Sequence, residues 1–401
     1  MTGAGRSCER SSMRARSSDS RMAAPFGRHV RRRLPFGHDT VRTVTGPRSY
    51  GMNALETLAH VGNPAPAPGH GPYWNRWSDR VWEQTPILRV LSSDDPLTAR
   101  TGDPGVNIVF DSLQGVRIGG RLIEPASGPV RGVVLALHGY AKPDRLNDES
   151  PWTGAGLATL KLRVRGYPGS MMDLGDLTKR PGGWIVEGLE SPKPLETWAL
   201  RGAVADVVNA LRALRDRYGE ETPISMHGES FGAGLAILAA SQLVGRDEVF
   251  RMAIGLPTLG DWPWRLRNVQ VEAEGVGVGA EIARQIERSP GQRTDIERAL
   301  RIFDAAVHAR RVTCPTLCKL AELDEVAPAP SAAAVYNGLG SDPGLKWRFI
   351  TRYGHYDGGV ADLRRHALFD RLAASFLDPA VDLQSLMATW GSRLATGDSA
   401  P

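Results

Sequence analysis

Short apolar runs recur along the middle of the chain, and amphipathic segments with apolar positions every three to four residues lie between them. Apolar runs of four to eight residues between turns are typical of buried strands in a parallel sheet. Longer segments with a period near 3.6 predict helices, here over 200–218 and 233–240. The runs predict strands over 131–138, 222–227, 250–257, 315–322 and 345–351. This alternation indicates an α/β protein whose mostly parallel sheet carries helices on both faces.

Three segments depart from this alternation. Residues 1–70 are predicted to be a disordered basic tail followed by a proline-rich linker, because they combine many Arg, Ser and Pro residues with few aliphatic ones. Residues 71–380 are expected to form the folded domain, and residues 381–401 a C-terminal tail. Within the domain, residues 258–310 lack strand patterning, and we expect them to form a small cap over a pocket.

The most informative motif is Gly-Glu-Ser-Phe-Gly at residues 228–232, which lies between a predicted strand and a predicted helix. A serine nucleophile of this kind occupies a turn so sharp that its hydroxyl stands clear of the sheet. Gly228 and Gly232 avoid the collisions that side chains would make there. The pattern is common by itself, but the strand before it and the helix after it predict Ser230 as the nucleophile of an α/β-hydrolase fold.

A serine nucleophile requires a base and an acid that orients the base, and in this fold the acid precedes the histidine in the chain. Asp324 follows one predicted strand and His355 follows the next, so both are expected at the carboxyl edge of the sheet. Glu322 and Glu325 are alternatives for the acid. Asp357 lies too close to His355 in sequence to be its partner.

The oxyanion of such a reaction is stabilised by backbone N–H groups. Gly139-Tyr140 opens the loop after the predicted strand over 131–138, and the His138-Gly139 step there is typical of the loop that supplies one donor in this fold. The residue after the nucleophile supplies the other donor. The predicted donors are therefore the amides of Tyr140 and Phe231. His138 is interpreted as a residue that shapes the loop rather than as a base.

Several motifs together resemble the acetyl xylan esterase and cephalosporin C deacetylase family of α/β-hydrolases. Their order and approximate spacing agree over residues 73–375. The matching pieces are Tyr73–Trp77, Val116–Pro125, His138–Tyr140, Arg165–Gly169, Phe303–Ala309, Asp324–Pro328 and Tyr353–His355. The resemblance implies a serine esterase that removes short acyl groups, chiefly acetyl, from carbohydrates or related small molecules. It also implies a homo-oligomer, which nothing in the sequence tests.

The sequence departs from the family at four positions near the predicted site, one of which is Ala327, where a cysteine is common. Glu229 and Phe231 stand where the family usually has glycine and glutamine, and Tyr167 stands where it has another glutamine. The predicted triad is unaffected, so hydrolysis remains the expected reaction. Phe231 still offers its amide, but its bulk is expected to change the pocket and the preference for the acyl group.

Charge and cysteine content bear on partners and compartment. The chain has a net charge of +5, yet residues 1–49 alone carry eleven arginines against three acids, a net of +8. This segment lacks the apolar core of an export signal, so a transit peptide, a nucleic-acid arm or a dispensable extension remain alternatives. Three cysteines give no disulfide framework, which favours a cytoplasmic protein. No metal or organic cofactor and no membrane span are implied.

Other functions stay open on the same scaffold. A general carboxylesterase, a peptidase, a thioesterase and an acyltransferase would all use the same three side chains. A binding protein without catalysis is a further alternative, although a nucleophile, an acid and a histidine in the expected order favour an enzyme. The alcohol half of the substrate is not indicated by the sequence.

Overall fold

The computed structural model describes residues 50–95, 97, 105–140, 150–171, 183–268, 277–324, 326–355 and 358–394. Within them, nine strands form one sheet in the order β1-β2-β3-β5-β4-β6-β7-β8-β9. The strands are β1 (Arg89–Val90), β2 (Val106–Asp111), β3 (Arg117–Ile123), β4 (Gly132–Leu137), β5 (Leu157–Leu162), β6 (Ile224–Glu229), β7 (Met252–Gly255), β8 (Thr316–Leu323) and β9 (Lys346–Tyr353).

The strands β1, β2, β3 and β5 pair antiparallel, each with the next in this series. The six strands β5, β4, β6, β7, β8 and β9 run parallel to one another. The five predicted strands correspond to β4, β6, β7, β8 and β9. Their residues are apolar on both sides because helices cover both faces of a parallel sheet. The mostly parallel α/β fold predicted from the sequence is therefore confirmed.

Helices cover both faces of this sheet. They are α1 (Ala54–Ala59), α2 (His70–Trp82), α3 (Pro194–Thr197), α4 (Ala199–Tyr218), α5 (Phe231–Leu243), α6 (Trp262–Asn268), α7 (Val278–Arg288), α8 (Arg293–Ile302), α9 (Ala305–His308), α10 (Ala329–Asn337), α11 (Gly359–Phe376) and α12 (Leu383–Trp390). One apolar cluster joins α2, α4, α5, α9 and α10 to one face. A second, smaller cluster joins α11 and α12 to the other.

The segment just before α2 does not form the linker that the sequence suggested. Asn53 and Glu56 make a reciprocal capping box that begins α1, which buries Thr57 and Leu58. The Asn337 side chain donates to the carbonyls of Leu58 and His60 at 3.1 and 2.8 Å. Residues 50–70 therefore pack on the domain, whereas residues 1–49 lie outside the described part of the chain.

The C-terminal segment differs from expectation in the same way. Asp382 accepts a hydrogen bond from the Ser385 amide at the start of α12. Leu383 and Met387 are buried in the smaller apolar cluster. Residues 381–394 thus extend the domain instead of forming a tail, and residues 395–401 lie outside the described part.

The predicted cap region, 258–310, is an insertion between β7 and β8 that contains α6, α7, α8 and α9. Asp304 anchors its start, because its carboxylate accepts hydrogen bonds from the amides of Asp261 and Trp262 at 2.8 and 3.0 Å. Burial raises the pKa of Asp304 to about 7, against these hydrogen bonds. Residues 269–276 of the insertion lie outside the described part.

Candidate active site

Ser230 occupies the turn that joins β6 to α5. Its φ of 55° and ψ of −114° lie outside the ordinary regions for a residue with a side chain. The turn is held by the sheet, because the Ser230 amide donates to the Gly255 carbonyl at the end of β7 at 2.7 Å. Strain of this kind persists only where the surrounding structure enforces it, and it is characteristic of nucleophile turns.

The two glycines of the motif allow the backbones to approach closely. A Cβ atom on Gly228 would lie 2.7 Å from the carbonyl carbon of Gly232. A Cβ atom on Gly232 would lie 2.6 Å from the carbonyl oxygen of Leu137, at the end of β4. Neither position has room for a side chain, so both glycines predicted from the motif are required by the geometry of the turn.

The serine, the histidine and the acid meet at the carboxyl edge of the sheet. His355 Nε2 lies 3.0 Å from Ser230 Oγ, and His355 Nδ1 lies 2.8 Å from Asp324 Oδ2. Asp324 follows β8 and His355 follows β9, two neighbouring parallel strands. The structure therefore brings together the three side chains that the sequence predicted.

Asp324 is fully buried, and its second oxygen is also engaged. Asp324 Oδ1 accepts hydrogen bonds from the amides of Val326 and Ala327 at 3.0 and 3.2 Å. These bonds fix the carboxylate so that Oδ2 faces the histidine ring. The alternative acid Glu322 is not the partner of His355 in this arrangement, and Glu325 and Asp357 lie outside the described residues.

The environment of His355 favours its charged form. Burial alone would lower the pKa of His355, but the charge and hydrogen bond of Asp324 outweigh it, with a further contribution from Glu229. The pKa of His355 is therefore raised above its ordinary value. An imidazole in this environment accepts a proton readily, because the neighbouring carboxylate stabilises the imidazolium that results.

The loop that carries Tyr140 lies beside the nucleophile, because β4 and β6 are paired and Leu137 lies opposite Gly228. Three hydrogen bonds hold Tyr140. Its carbonyl accepts from the Tyr167 hydroxyl at 2.8 Å, and its own hydroxyl accepts from the Ile185 amide at 2.8 Å. The Tyr140 hydroxyl also donates to Glu281 Oε2 at 2.5 Å. Residues 141–149, which continue this loop, lie outside the described part.

His138 shapes this loop, as the sequence interpretation proposed. Its Nδ1 lies 2.9 Å from the Gly139 carbonyl, and its Nε2 accepts from the Val164 amide at 3.4 Å. Burial lowers the pKa of His138 to about 4, with a smaller opposing effect of the Gly139 carbonyl. Both ring nitrogens are thus occupied by backbone groups, and the ring is neutral at neutral pH.

The Phe231 side chain does not project into an open pocket. It is fully buried among aromatic rings, with ring centroids 5.2 Å from Trp184 and 5.6 Å from Tyr140. Edge-to-face packing at these distances stabilises aromatic clusters. The Phe231 ring therefore packs against the loop that carries Tyr140, a contact that the sequence analysis did not foresee.

Glu281 is a further site residue that sequence reasoning missed. It belongs to α7 in the insertion, far in sequence from the loop that it contacts, and no motif marks it. Burial raises the pKa of Glu281 to about 7, and its hydrogen bond with Tyr140 opposes this shift. Through this bond the insertion holds the side chain of Tyr140 in place.

We expect Glu281→Ala to lower kcat by about 10-fold, because it loosens the loop whose Tyr140 amide is the predicted oxyanion donor, and a donor of this kind is worth roughly 100-fold or more. Glu281→Gln keeps a hydrogen-bond acceptor for Tyr140 and should stay within about threefold of the wild type. Glu287→Ala, an exposed acid of the same helix, is the control. Steady-state kinetics on an aryl acetate provide the measurement, and equal kcat values for all four proteins would exclude this role.

Among the described residues, no group of three or more His, Cys, Asp and Glu side chains is arranged to hold a metal ion. In the same part of the chain, no helix is long and apolar enough to cross a membrane.

The sheet order, the strained serine after β6 and the positions of acid and histidine are those of the α/β-hydrolase fold. The sequence model of the acetyl xylan esterase (AXE1) family matches residues 93–368. The chain therefore belongs to the acetyl xylan esterase family, and it is a carboxylic ester hydrolase.

Two solved structures illustrate the shared fold. Acetyl xylan esterase 1 from Thermoanaerobacterium sp. JW/SL YS485 is 21% identical, with a TM-score of 0.62 over 80% of this chain and 98% of that one. An acetyl xylan esterase from Paenibacillus sp. R4 is also 21% identical, with a TM-score of 0.62 over 80% of this chain and 99% of that one. At this identity the likeness concerns the fold.

Proposed function

We propose that the protein is a serine esterase in which Ser230, His355 and Asp324 form the catalytic triad. The observation that carries this proposal is the continuous hydrogen-bonded chain from Ser230 Oγ through the His355 ring to Asp324. The strained backbone of Ser230 supports it, because that conformation directs the hydroxyl away from the sheet.

In the proposed mechanism, His355 Nε2 accepts the proton of Ser230 as Oγ attacks the ester carbonyl. Asp324 accepts a hydrogen bond from the Nδ1–H group of His355, so the proton stays on Nδ1 and Nε2 is free to accept another before the attack. After the attack, the carboxylate stabilises the imidazolium. His355 then gives its proton to the departing alcohol, and the acyl group stays on Ser230.

The amides of Tyr140 and Phe231 are proposed to donate to the oxyanion that forms in this step. Donors of this type are typically worth about 3 kcal/mol each, because they are already oriented before charge develops. A water molecule, activated by His355, then attacks the acyl-enzyme and releases the acid. No step in this scheme requires a cofactor.

The proposed substrates are acetyl esters of carbohydrates or related small molecules, in keeping with the family to which the chain belongs. The direct test is acetate release from acetylated xylo-oligosaccharides, cephalosporin C and simple aryl acetates by the purified full-length protein. Activity on acetylated oligosaccharides supports the proposal. Hydrolysis of aminoacyl or thioester substrates in preference to all of these would replace it with a peptidase or thioesterase function.

Acetyl esters should be hydrolysed faster than esters of longer acids. We propose an acyl pocket that is closed behind the carbonyl, as the acetyl xylan esterase family implies, next to the packed rings of Tyr140, Trp184 and Phe231. A methylene group that collides costs about 1–3 kcal/mol, so kcat/KM should fall roughly 5- to 160-fold from acetate to butyrate. A series of p-nitrophenyl acetate, propionate, butyrate and octanoate holds the alcohol constant. If butyrate or octanoate is the better substrate, the protein is a general carboxylesterase.

The compartment and the assembly state are also proposals. We propose a cytoplasmic enzyme, which is supported by two free cysteines in the domain, Cys314 and Cys318, neither of which forms a disulfide. Burial raises the pKa of both thiols, which makes them poorly reactive. A homo-oligomer is proposed from the family resemblance, and light scattering of the purified protein tests it.

A further inference from the structure

A second chain of charged and polar groups lies next to the proposed triad. Glu229, the residue before the nucleophile, forms an ion pair with Lys319 of β8. Lys319 Nζ lies 3.0 Å from His366 Nδ1, and His366 Nε2 lies 3.0 Å from the Tyr353 carbonyl. Tyr353 precedes His355 by two residues, so this series of contacts connects the turn that carries Ser230 with the loop that carries His355.

The ion pair bridges three neighbouring strands. Glu229 of β6 lies opposite Gly255 of β7, and Gly255 lies opposite Lys319 of β8. A Cβ atom on Gly255 would lie 2.9 Å from Lys319 Cε and 3.1 Å from Glu229 Cγ. The two side chains meet above Gly255 because this residue has no side chain of its own.

The arrangement is costly for a purely structural contact. The Lys319 side chain is only 2% exposed, and its ammonium group lies 4.8 Å from the centre of the Phe369 ring in α11. The Glu229 side chain is 34% exposed, so the cost falls on Lys319, because removing its charge from water opposes folding and its ion pair offsets this only in part. A contribution to the chemistry at His355 would explain why the pair is present.

Both members of the pair act on the catalytic histidine. The Glu229 charge raises the pKa of His355, whereas the Lys319 charge lowers it. Burial would raise the pKa of Glu229, but the charge of Lys319 and its hydrogen bond lower this pKa to about 2. The Glu229 carboxylate is therefore charged over the whole pH range in which the enzyme is assayed. Among the described residues, Asp324 after β8 also faces His355, and His366 of α11 is connected to it through Lys319 and Tyr353. Asp362 of α11 lies 3.3 Å from His366 Nε2 and accepts from the Tyr353 amide at 3.3 Å.

We propose that Glu229 and Lys319 are positioning residues whose opposite charges together set the proton affinity of His355 and, through His366, hold its loop. This inference rests on the proposed function, because it assigns a role relative to the proposed base. It predicts that the two charges have opposite effects on catalysis, which a packing role does not.

The test is the pH dependence of kcat/KM for the aryl acetate, which reports the ionisation of the base in the free enzyme. Glu229→Gln leaves Lys319 without its compensating anion, so the acidic limb should move to lower pH by roughly one unit. Lys319→Met leaves Glu229 without its cation, so the limb should move to higher pH by a similar amount. The double variant removes both charges, and its limb should return close to that of the wild type.

Asp111→Asn is the control for a change in net charge, because it removes the carboxylate of β2 from an exposed ion pair with Arg89 of the edge strand β1. Its limb should coincide with that of the wild type. Limbs that stay in place in both single variants, or that move in the same direction, would overturn the inference. If Lys319→Met does not fold, Glu229→Gln alone decides the sign, since an unmoved or raised limb contradicts the proposal.

This outcome is distinguishable from failure of the proposed function. If the wild type is active and a fluorophosphonate labels Ser230, but the acidic limbs of the variants coincide with that of the wild type, the triad is supported and the role of the Glu229–Lys319 pair is excluded. A wild type without hydrolase activity and without labelling removes both.

Discussion

Replacing Ser230 by alanine should lower kcat on an aryl acetate by about 10⁵- to 10⁶-fold, because the variant can form no acyl-enzyme. The fold should be retained, since alanine leaves the amide of residue 230 free to donate to the Gly255 carbonyl. A fluorophosphonate should label the wild type at one serine and leave Ser230→Ala unlabelled. Intact-protein mass spectrometry measures the added mass directly.

The matched control is Ser385→Ala, which removes an exposed hydroxyl in α12. This helix begins near the amino end of β7, where Arg251 donates to the Val381 carbonyl. It should be labelled and active to the same extent as the wild type. Equal labelling of Ser230→Ala and the wild type would show that another residue is the nucleophile. The rate that remains in Ser230→Ala measures what the oxyanion donors and binding supply without covalent chemistry.

Asp324→Asn should lower kcat by about 10³- to 10⁴-fold. The asparagine oxygen can still accept from the amides of Val326 and Ala327, so the loop should keep its conformation. The amide nitrogen, however, would face His355 Nδ1 as a donor. It would favour the tautomer with the proton on Nε2, which cannot accept the proton of Ser230.

Glu322→Gln and Glu325→Gln are the comparison variants, because these acids flank Asp324 and are the alternatives that the sequence leaves open. Both should stay within about tenfold of the wild type, and circular dichroism melting curves check that all three variants fold. A larger loss in either glutamine variant than in Asp324→Asn would assign the orienting acid to that position.

The parts of the site that the sequence predicted follow from local rules. A strand, a Gly-x-Ser-x-Gly turn and a helix succeed one another within about twenty residues, and the sharp turn dictates its own glycines. Asp324 and His355 could be assigned because parallel strands end at a common edge of the sheet. These three assignments needed no knowledge of which strands are neighbours.

The Glu229–Lys319 pair could not be predicted in this way. The two residues are separated by about ninety positions, and they meet only because β6, β7 and β8 are adjacent in a register that places Gly255 between them. Glu281 was missed for a similar reason, since its contact with Tyr140 depends on how α7 packs over the loop. Long-range register and helix placement are set by the whole core, which short patterns do not describe.

The predictions for residues 50–70 and 381–394 were wrong for the opposite reason. A local signal for a helix was present in both segments, but amino-acid composition was given more weight. Asn53 and Glu56 have the spacing of a capping box, and Asp382 precedes a segment with apolar residues at helical spacing. Proline content and low apolar content favoured a linker and a tail instead. Cap residues are therefore the better indicator of order at the margins of this domain.

The position of Gly255 restricts the order in which substitutions in this enzyme can be accepted during evolution. A Cβ atom at residue 255 would lie 2.9 Å from Lys319 Cε and 3.1 Å from Glu229 Cγ, so a side chain there is accommodated only if one of the two charged side chains moves or has already become smaller. Conversely, a glutamate and a lysine can form this ion pair undisturbed only while residue 255 is glycine. Relatives that carry both Glu229 and Lys319 should therefore also carry glycine at residue 255, whereas this glycine can also occur without the pair.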